Sequence, residues 1–94
     1  LHEVIWTSLA VDELEAIQAY LRPLNPSAAQ EVVADLIKTE DNLEIFPRRG
    51  RPVPDGRLRE VISRFAYVVR YRVEGEKVYI LRIRHGARQP LGRF

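Results

Sequence analysis

At 94 residues with 46% apolar content, the chain has the size of one domain spanning 1–94, since typical domains run about 50–250 residues, and enough apolar material for one core. The absence of cysteine excludes a disulfide framework, a thiolate zinc site and a thiol nucleophile, and no apolar run approaches the roughly 20 residues of a membrane span. The net charge of +2 conceals an asymmetry: residues 1–47 hold two basic against nine acidic residues (−7), whereas residues 48–94 hold thirteen basic, twelve of them arginine, against four acidic (+9).

The opening His2-Glu3-Val4-Ile5-Trp6-Thr7 is β-branched and aromatic and reads as a first strand that turns Trp6 inward. Its acidic start is unlike a secretory signal, so the chain is expected in the cytoplasm and away from membranes. Thr7 or Ser8 caps a helix whose first turn is read as carrying Asp12 and Glu13, the charge favoured near a helix N-terminus. Ala10, Leu14, Ile17 and Leu21 recur at i, i+4, i+7 and i+11, one apolar face, and Arg22-Pro23 closes the helix. Asn25 then serves as a cap with Pro26 at the first helical position, where a missing N–H is harmless. The second helix carries Val32, Val33, Leu36, Ile37 and Leu43 and ends before Phe46-Pro47, giving an antiparallel helix pair.

Residues 46–57 contain three prolines, two glycines and four arginines, a composition for an ordered, exposed basic loop. Beyond it the period becomes two in residues 57–62, 66–73 and 77–84, an antiparallel meander. An odd-length turn at Glu74-Gly75-Glu76 places Tyr67, Val69, Tyr71 and Val73 on one apolar face with Tyr79, Leu81 and Ile83. The other face then carries Val68, Arg70 and Arg72 beside Val78, Ile80, Arg82 and Arg84. Like charges opposed across a sheet destabilise it, so these arginines read either as a solvated face or as a groove for an anionic partner. The expected class is α+β: an N-terminal strand and a helix pair packed on an antiparallel sheet.

The chain has two histidines, the residue type suited to proton transfer near neutral pH, and His2 sits at the chain start. His85 ends the last strand in Arg82-Ile83-Arg84-His85-Gly86-Ala87-Arg88, among cations of the kind that stabilise a phosphorane-like transition state. RNA cleavage also needs a separate proton acceptor and donor, for which this segment offers one imidazole. No cluster suits a metal, no glycine-rich loop suits a cofactor, and Ser8, Ser27 and Ser63 lack the context of an activated nucleophile. Neither metal nor cofactor is expected. Arginines alternating with Tyr67, Tyr71 and Tyr79 suit nucleic acid in composition, although strand parity sends the two residue types to opposite faces. A short helix pair also leaves Leu14, Ile17, Val33 and Leu36 as a candidate groove for a partner helix.

The order strand, helix, helix, Pro-Arg loop and three-strand meander resembles the RelE/ParE superfamily of bacterial toxins from type II toxin–antitoxin modules. The resemblance rests on Trp6-Thr7, Asp12 and Leu14, Pro47-Arg48-Arg49-Gly50, Leu58-Arg59-Glu60, Tyr67-Val68-Val69-Arg70-Tyr71-Arg72-Val73 and the run from Val78 to Arg88. It implies a growth-inhibiting, plasmid-stabilising type of toxin held in a hetero-oligomeric complex by a ParD-like antitoxin, itself a DNA-binding dimer. RelE-like members cut mRNA on the ribosome and ParE-like members block DNA gyrase. Of the four basic positions of the RelE-like nucleases, Arg59 and Arg88 match two and Val61 and Val68 occupy the others, and Phe94 lacks the phenolic hydroxyl of their tyrosine near the C-terminus. The resemblance therefore implies a ParE-like gyrase inhibitor that is not an enzyme; a RelE-like endoribonuclease using Arg59, His85 and Arg88 is the alternative, and a non-toxic binding protein a third reading. Arg59, Arg70, Arg72, Arg82, Arg84, His85 and Arg88 are the candidate surface for target or antitoxin.

Overall fold

The computed structural model describes residues 1–54 and 57–86. Strand β1 (Glu3–Trp6) leads directly into helix α1 (Ser8–Leu24), and Thr7 makes the change of direction. The Thr7 hydroxyl oxygen accepts the Ala10 N–H at 3.3 Å and donates to the Ile80 carbonyl at 2.9 Å. With Thr7 as the cap, Asp12 and Glu13 fall in the second turn rather than the first, where the helix dipole has little hold on them. Pro23 is absorbed in the last turn, at the loss of a single intrahelical bond, so α1 continues to Leu24.

Asn25 is at once the end of α1 and the start of α2 (Pro26–Ile45). Its N–H donates to the Leu21 carbonyl at 2.7 Å and its side chain accepts the Ala28 N–H at 3.1 Å. One residue thus satisfies both helix termini, as an extended asparagine followed by proline permits. Gln18 and Arg22 of α1 face Val33 and Ile37 of α2 across a shared groove, the arrangement of an antiparallel pair.

The remaining elements are β2 (Arg51–Pro52), β3 (Leu58–Ile62), β4 (Tyr67–Glu74) and β5 (Lys77–His85), in a sheet of order β1-β5-β4-β3-β2. The meander is antiparallel as expected, but β1 joins it in parallel, Glu3 opposite Lys77 through Trp6 opposite Ile80. The two-residue β2 lies inside the segment read as a loop. It pairs with Arg59 and Glu60, and as an edge strand it tolerates Pro52.

The meander register departs from the sequence reading. The turn has two residues, Gly75 and Glu76, because Gly75 takes a φ of +57° at the first central position of the hairpin, so Glu74 pairs with Lys77. Val73 then faces Val78 and Tyr71 faces Ile80. Leu81 is an extra residue in β5, and past this bulge Arg70 meets Arg82 and Val69 meets Ile83. Tyr79 and Leu81 therefore do not share the core face with Tyr67, Val69 and Tyr71; Val78 and Ile80 take their place.

The core lies between the helices and this face: Ala10, Val32, Leu36 and Leu43 pack with Val61, Tyr67, Val69, Tyr71, Val78, Ile80 and Ile83. Trp6 packs against it and, half-buried, donates its indole N–H to Glu40 Oε1 at 2.8 Å. Between β3 and β4 the chain reverses at residues 63–66, where Ala66 holds a φ of +64°.

Candidate functional site

The helix hairpin presents an apolar groove of about 410 Å³ between its helices, lined by Gln18, Arg22, Ala29, Val33, Ala34 and Ile37. Ile37, 52% exposed, is the large apolar side chain that opens on it. Of the four groove candidates, Val33 lines it. Leu36 belongs to the core, and Leu14 and Ile17 pack against that core from α1. The stripe of each helix is wide enough to serve two surfaces, and the sheet takes most of it.

The arginines of the meander are individually partnered. Arg70 lies 8% exposed and donates through Nε and Nη2 to Glu60 Oε2 at 3.1 and 2.6 Å. Glu60, itself 3% exposed, sits directly opposite it in the sheet register and also meets Arg51 at 3.7 Å. Arg72 donates to Glu74 at 2.8 Å, and its guanidinium stacks 4.8 Å from the Tyr79 ring centroid.

Glu13 gathers the other two arginines. Beyond Ile80 the edge of β5 is no longer paired with β1, and α1 brings Glu13 alongside it. Its carboxylate accepts the Ile83 backbone N–H at 2.9 Å and the Arg82 guanidinium at 2.9–3.2 Å. Arg84 Nε lies 3.1 Å from Oε2 at an angle that makes an ion pair rather than a hydrogen bond. One helix carboxylate thus occupies a strand edge and is shared by the two cations beside it. Arg70 and Arg82, opposite each other in register, turn to different carboxylates, which relieves their repulsion.

His85 packs edge-on against Tyr67, ring centroids 5.0 Å apart, and its buried Nδ1 has no hydrogen-bond partner. It borders a pocket of about 190 Å³ with Glu13, Ile17, Tyr20 and Arg84. Arg59 is elsewhere. It pairs with Tyr71, whereas His85 pairs with Tyr67, four residues away along β4, about 13 Å at the usual strand rise. Val61 and Val68 are both buried and, by register, on opposite faces of the sheet. The candidates Arg88 and Phe94 lie outside the described residues.

A second basic centre surrounds Tyr71. Its fully buried hydroxyl accepts the Gly50 N–H at 2.9 Å, and Arg59 Nη1 donates to the Gly50 and Arg48 carbonyls at 2.8 and 3.1 Å. Burial pushes the Tyr71 phenol above its usual 10.0, against the opposing pull of the Gly50 N–H and the Arg59, Arg49 and Arg48 cations. Gly50 admits no side chain: a Cβ would lie 2.7 Å from the Tyr71 hydroxyl and 2.8 Å from the Glu60 carbonyl. Arg48, Arg57, Arg59 and Arg72 line a concavity of about 620 Å³ here, with Glu74 as its carboxylate. Sequence reasoning located the basic loop but not this centre; the signal was a glycine between arginines, whose tyrosine partner lies 21 residues on.

Residues 4–90 match the model of the ParE toxin of the type II toxin–antitoxin system parDE. The chain is 41% identical over 86 residues to Toxin RelE2 of Caulobacter vibrioides, covering 92% of this chain and 97% of that one. It is 35% identical over 85 residues to the putative toxin Y4kP of Sinorhizobium fredii, covering 89% and 88%. A solved structure described as the chromosomal ParDE toxin–antitoxin system from P. aeruginosa superposes with a TM-score of 0.77 at 27% identity, over 89% of this chain and 95% of that one. The strand, helix pair and meander, and the sequence that builds them, place this chain in the ParE toxin family of type II toxin–antitoxin systems.

Proposed function

We propose that this toxin stops growth by binding DNA gyrase, in the cytoplasm, and that a ParD-like antitoxin, a DNA-binding dimer, neutralises it in a hetero-oligomeric complex. The separation of Arg59 from His85 carries the preference for binding over RNA cleavage. A nuclease needs its cations, acid and base within hydrogen-bond reach of one phosphate, and these two residues stand four positions apart along β4, about 13 Å at the usual strand rise. Val61 and Val68, buried on opposite faces, offer no cation to bridge the gap. In this reading Arg59, Arg70, Arg72, Arg82, Arg84, His85 and Arg88 are the residues for target or antitoxin, of which Arg70 is buried and Arg88 lies outside the described residues.

The antitoxin is read as an amphipathic helix laid in the groove between α1 and α2, with acidic residues reaching the basic half. Ile37→Asp is expected to weaken antitoxin binding about tenfold or more while leaving the unfolding midpoint unchanged, since Ile37 is already half exposed. Unchanged affinity would place the antitoxin elsewhere. One observation favours the RelE-like alternative: the unpartnered His85 Nδ1 beside a pocket and the Arg84 cation. Pulse labelling of DNA and protein synthesis after induction without antitoxin separates the readings. Early loss of DNA synthesis with double-strand breaks supports gyrase; early loss of protein synthesis with intact replication supports RNA cleavage and overturns the proposal.

A further inference from the structure

We propose that the concavity lined by Arg48, Arg57, Arg59 and Arg72 is an oxyanion site that takes the phosphate group of a phosphoryl or phosphodiester ligand. It does not depend on which target the toxin stops. Three observations carry it: the charge that is left over, the donors that are left over, and the rigidity of the frame.

The charge is uncompensated. Among the described residues, Arg48 and Arg59 line the concavity beside Arg72, and the one carboxylate there, Glu74, is already spent on Arg72 at 2.8 Å. Among the described residues, no carboxylate forms an ion pair with Arg48, Arg49 or Arg59. This contrasts with the rest of the meander, where Arg70, Arg82 and Arg84 each have an acidic partner. The cations here are also felt at the Tyr71 hydroxyl, where Arg59, Arg49 and Arg48 all favour the ionised form.

The donors are suitably arranged. Arg59 uses Nη1 on two carbonyls, which leaves the side-on fork of Nε and Nη2, the edge that binds two oxygens of a phosphate at once. Arg72 uses Nε on Glu74 and sits over the Tyr79 ring, 4.8 Å from its centroid, and these two contacts restrain its guanidinium. The frame is fixed in turn. Gly50 locks against Tyr71 and Arg59 ties down the carbonyls of Arg48 and Gly50, so the loop bearing Arg48 is held to the sheet before any ligand arrives. Among the described residues no aromatic ring lines the concavity, so the recognition is of phosphate rather than of a base.

The test titrates the purified toxin with sodium pyrophosphate, and separately with a fluorescent DNA duplex of arbitrary sequence. Wild type is compared with Arg48→Glu/Arg72→Glu and with Lys38→Glu/Lys77→Glu, exposed positions that change net charge equally. Arg48→Glu alone serves as the milder variant, and thermal unfolding checks the fold of each. Saturable binding that the arginine pair weakens tenfold or more, and the lysine pair by less than threefold, supports the site. Duplex displaced by pyrophosphate assigns it to backbone phosphates; pyrophosphate bound without duplex assigns it to a free phosphate ligand. Binding of neither probe, or equal losses in the two double variants, overturns it.

Discussion

Glu13 gives the sharpest test of how this sheet is held. Its side chain is 12% exposed and serves three groups at once: Arg82 at 22%, Arg84 at 42% and the Ile83 N–H. Breaking a fully buried ion pair costs about 3–5 kcal/mol and an exposed pair about 0–1, so the partly buried Arg82 contact is worth about 1–2 and the screened Arg84 contact adds little. An unsatisfied strand-edge N–H adds about 1 kcal/mol. Glu13→Ala is therefore expected to lose about 2–3 kcal/mol. Glu13→Gln, which keeps an oxygen for Ile83, loses about 1–2 by the same reckoning. The assay is urea unfolding followed by the single tryptophan, Trp6, half-buried against the core on the strand beside β5. With an m-value of about 1–1.5 kcal/mol per M for a chain this small, the Glu13→Ala midpoint falls by about 1.3–3 M. A Glu13→Ala midpoint within about 0.3 M of wild type, or a Glu13→Gln as damaging as the alanine, would refute the reasoning.

Other consequences are as specific. Gly50→Ala forces a Cβ to within 3 Å of the Tyr71 hydroxyl and of the backbone at Glu60, and about 2–3 kcal/mol of stability is lost in the same urea assay. Tyr71→Phe strands the Gly50 N–H and loses about 1–2 kcal/mol at neutral pH. It also alters the alkaline limb. Because burial raises the folded phenol above 10.0, its contribution is complete below that pH and is lost as pH climbs toward the folded value, so wild type loses stability there more steeply than Tyr71→Phe. Ala66→Gly, unlike most alanine-to-glycine changes, leaves stability unchanged or raises it by up to about 0.5 kcal/mol, since relief of a left-handed φ offsets the added chain entropy; a loss in calorimetry would contradict this.

Local chemistry was legible in the residues. Asn25-Pro26 placed the helix junction, and the Thr7 cap and the period-two runs placed α1 and the meander. What resisted reading is set by pairs far apart in the chain. The parity of β5 turned on a two-residue loop and a bulge at Leu81, and nothing in Val78-Tyr79-Ile80-Leu81 distinguishes the inward residue when all four are apolar. The arginines were found as a charge surplus, but their partners were not: Glu13 and Arg82 are separated by 69 residues, and only the folded edge of β5 brings them together. The candidate groove was half legible for a related reason, since an apolar stripe does not announce which of its residues the sheet will take.

The parallel pairing of β1 with β5 ties the first strand to residues 77–80, so the two longest-separated elements of the chain are neighbours in the finished sheet. A nascent chain has both helices out of the ribosome well before the strand that β1 must join. Closing a loop of some 70 residues comes late and slowly, and the sheet cannot be complete until it does. During synthesis the apolar undersides of α1 and α2 wait without the sheet that covers them until the β4–β5 hairpin is made. Chain topology alone thus sets an interval in which the helix pair exists before the sheet that completes the fold.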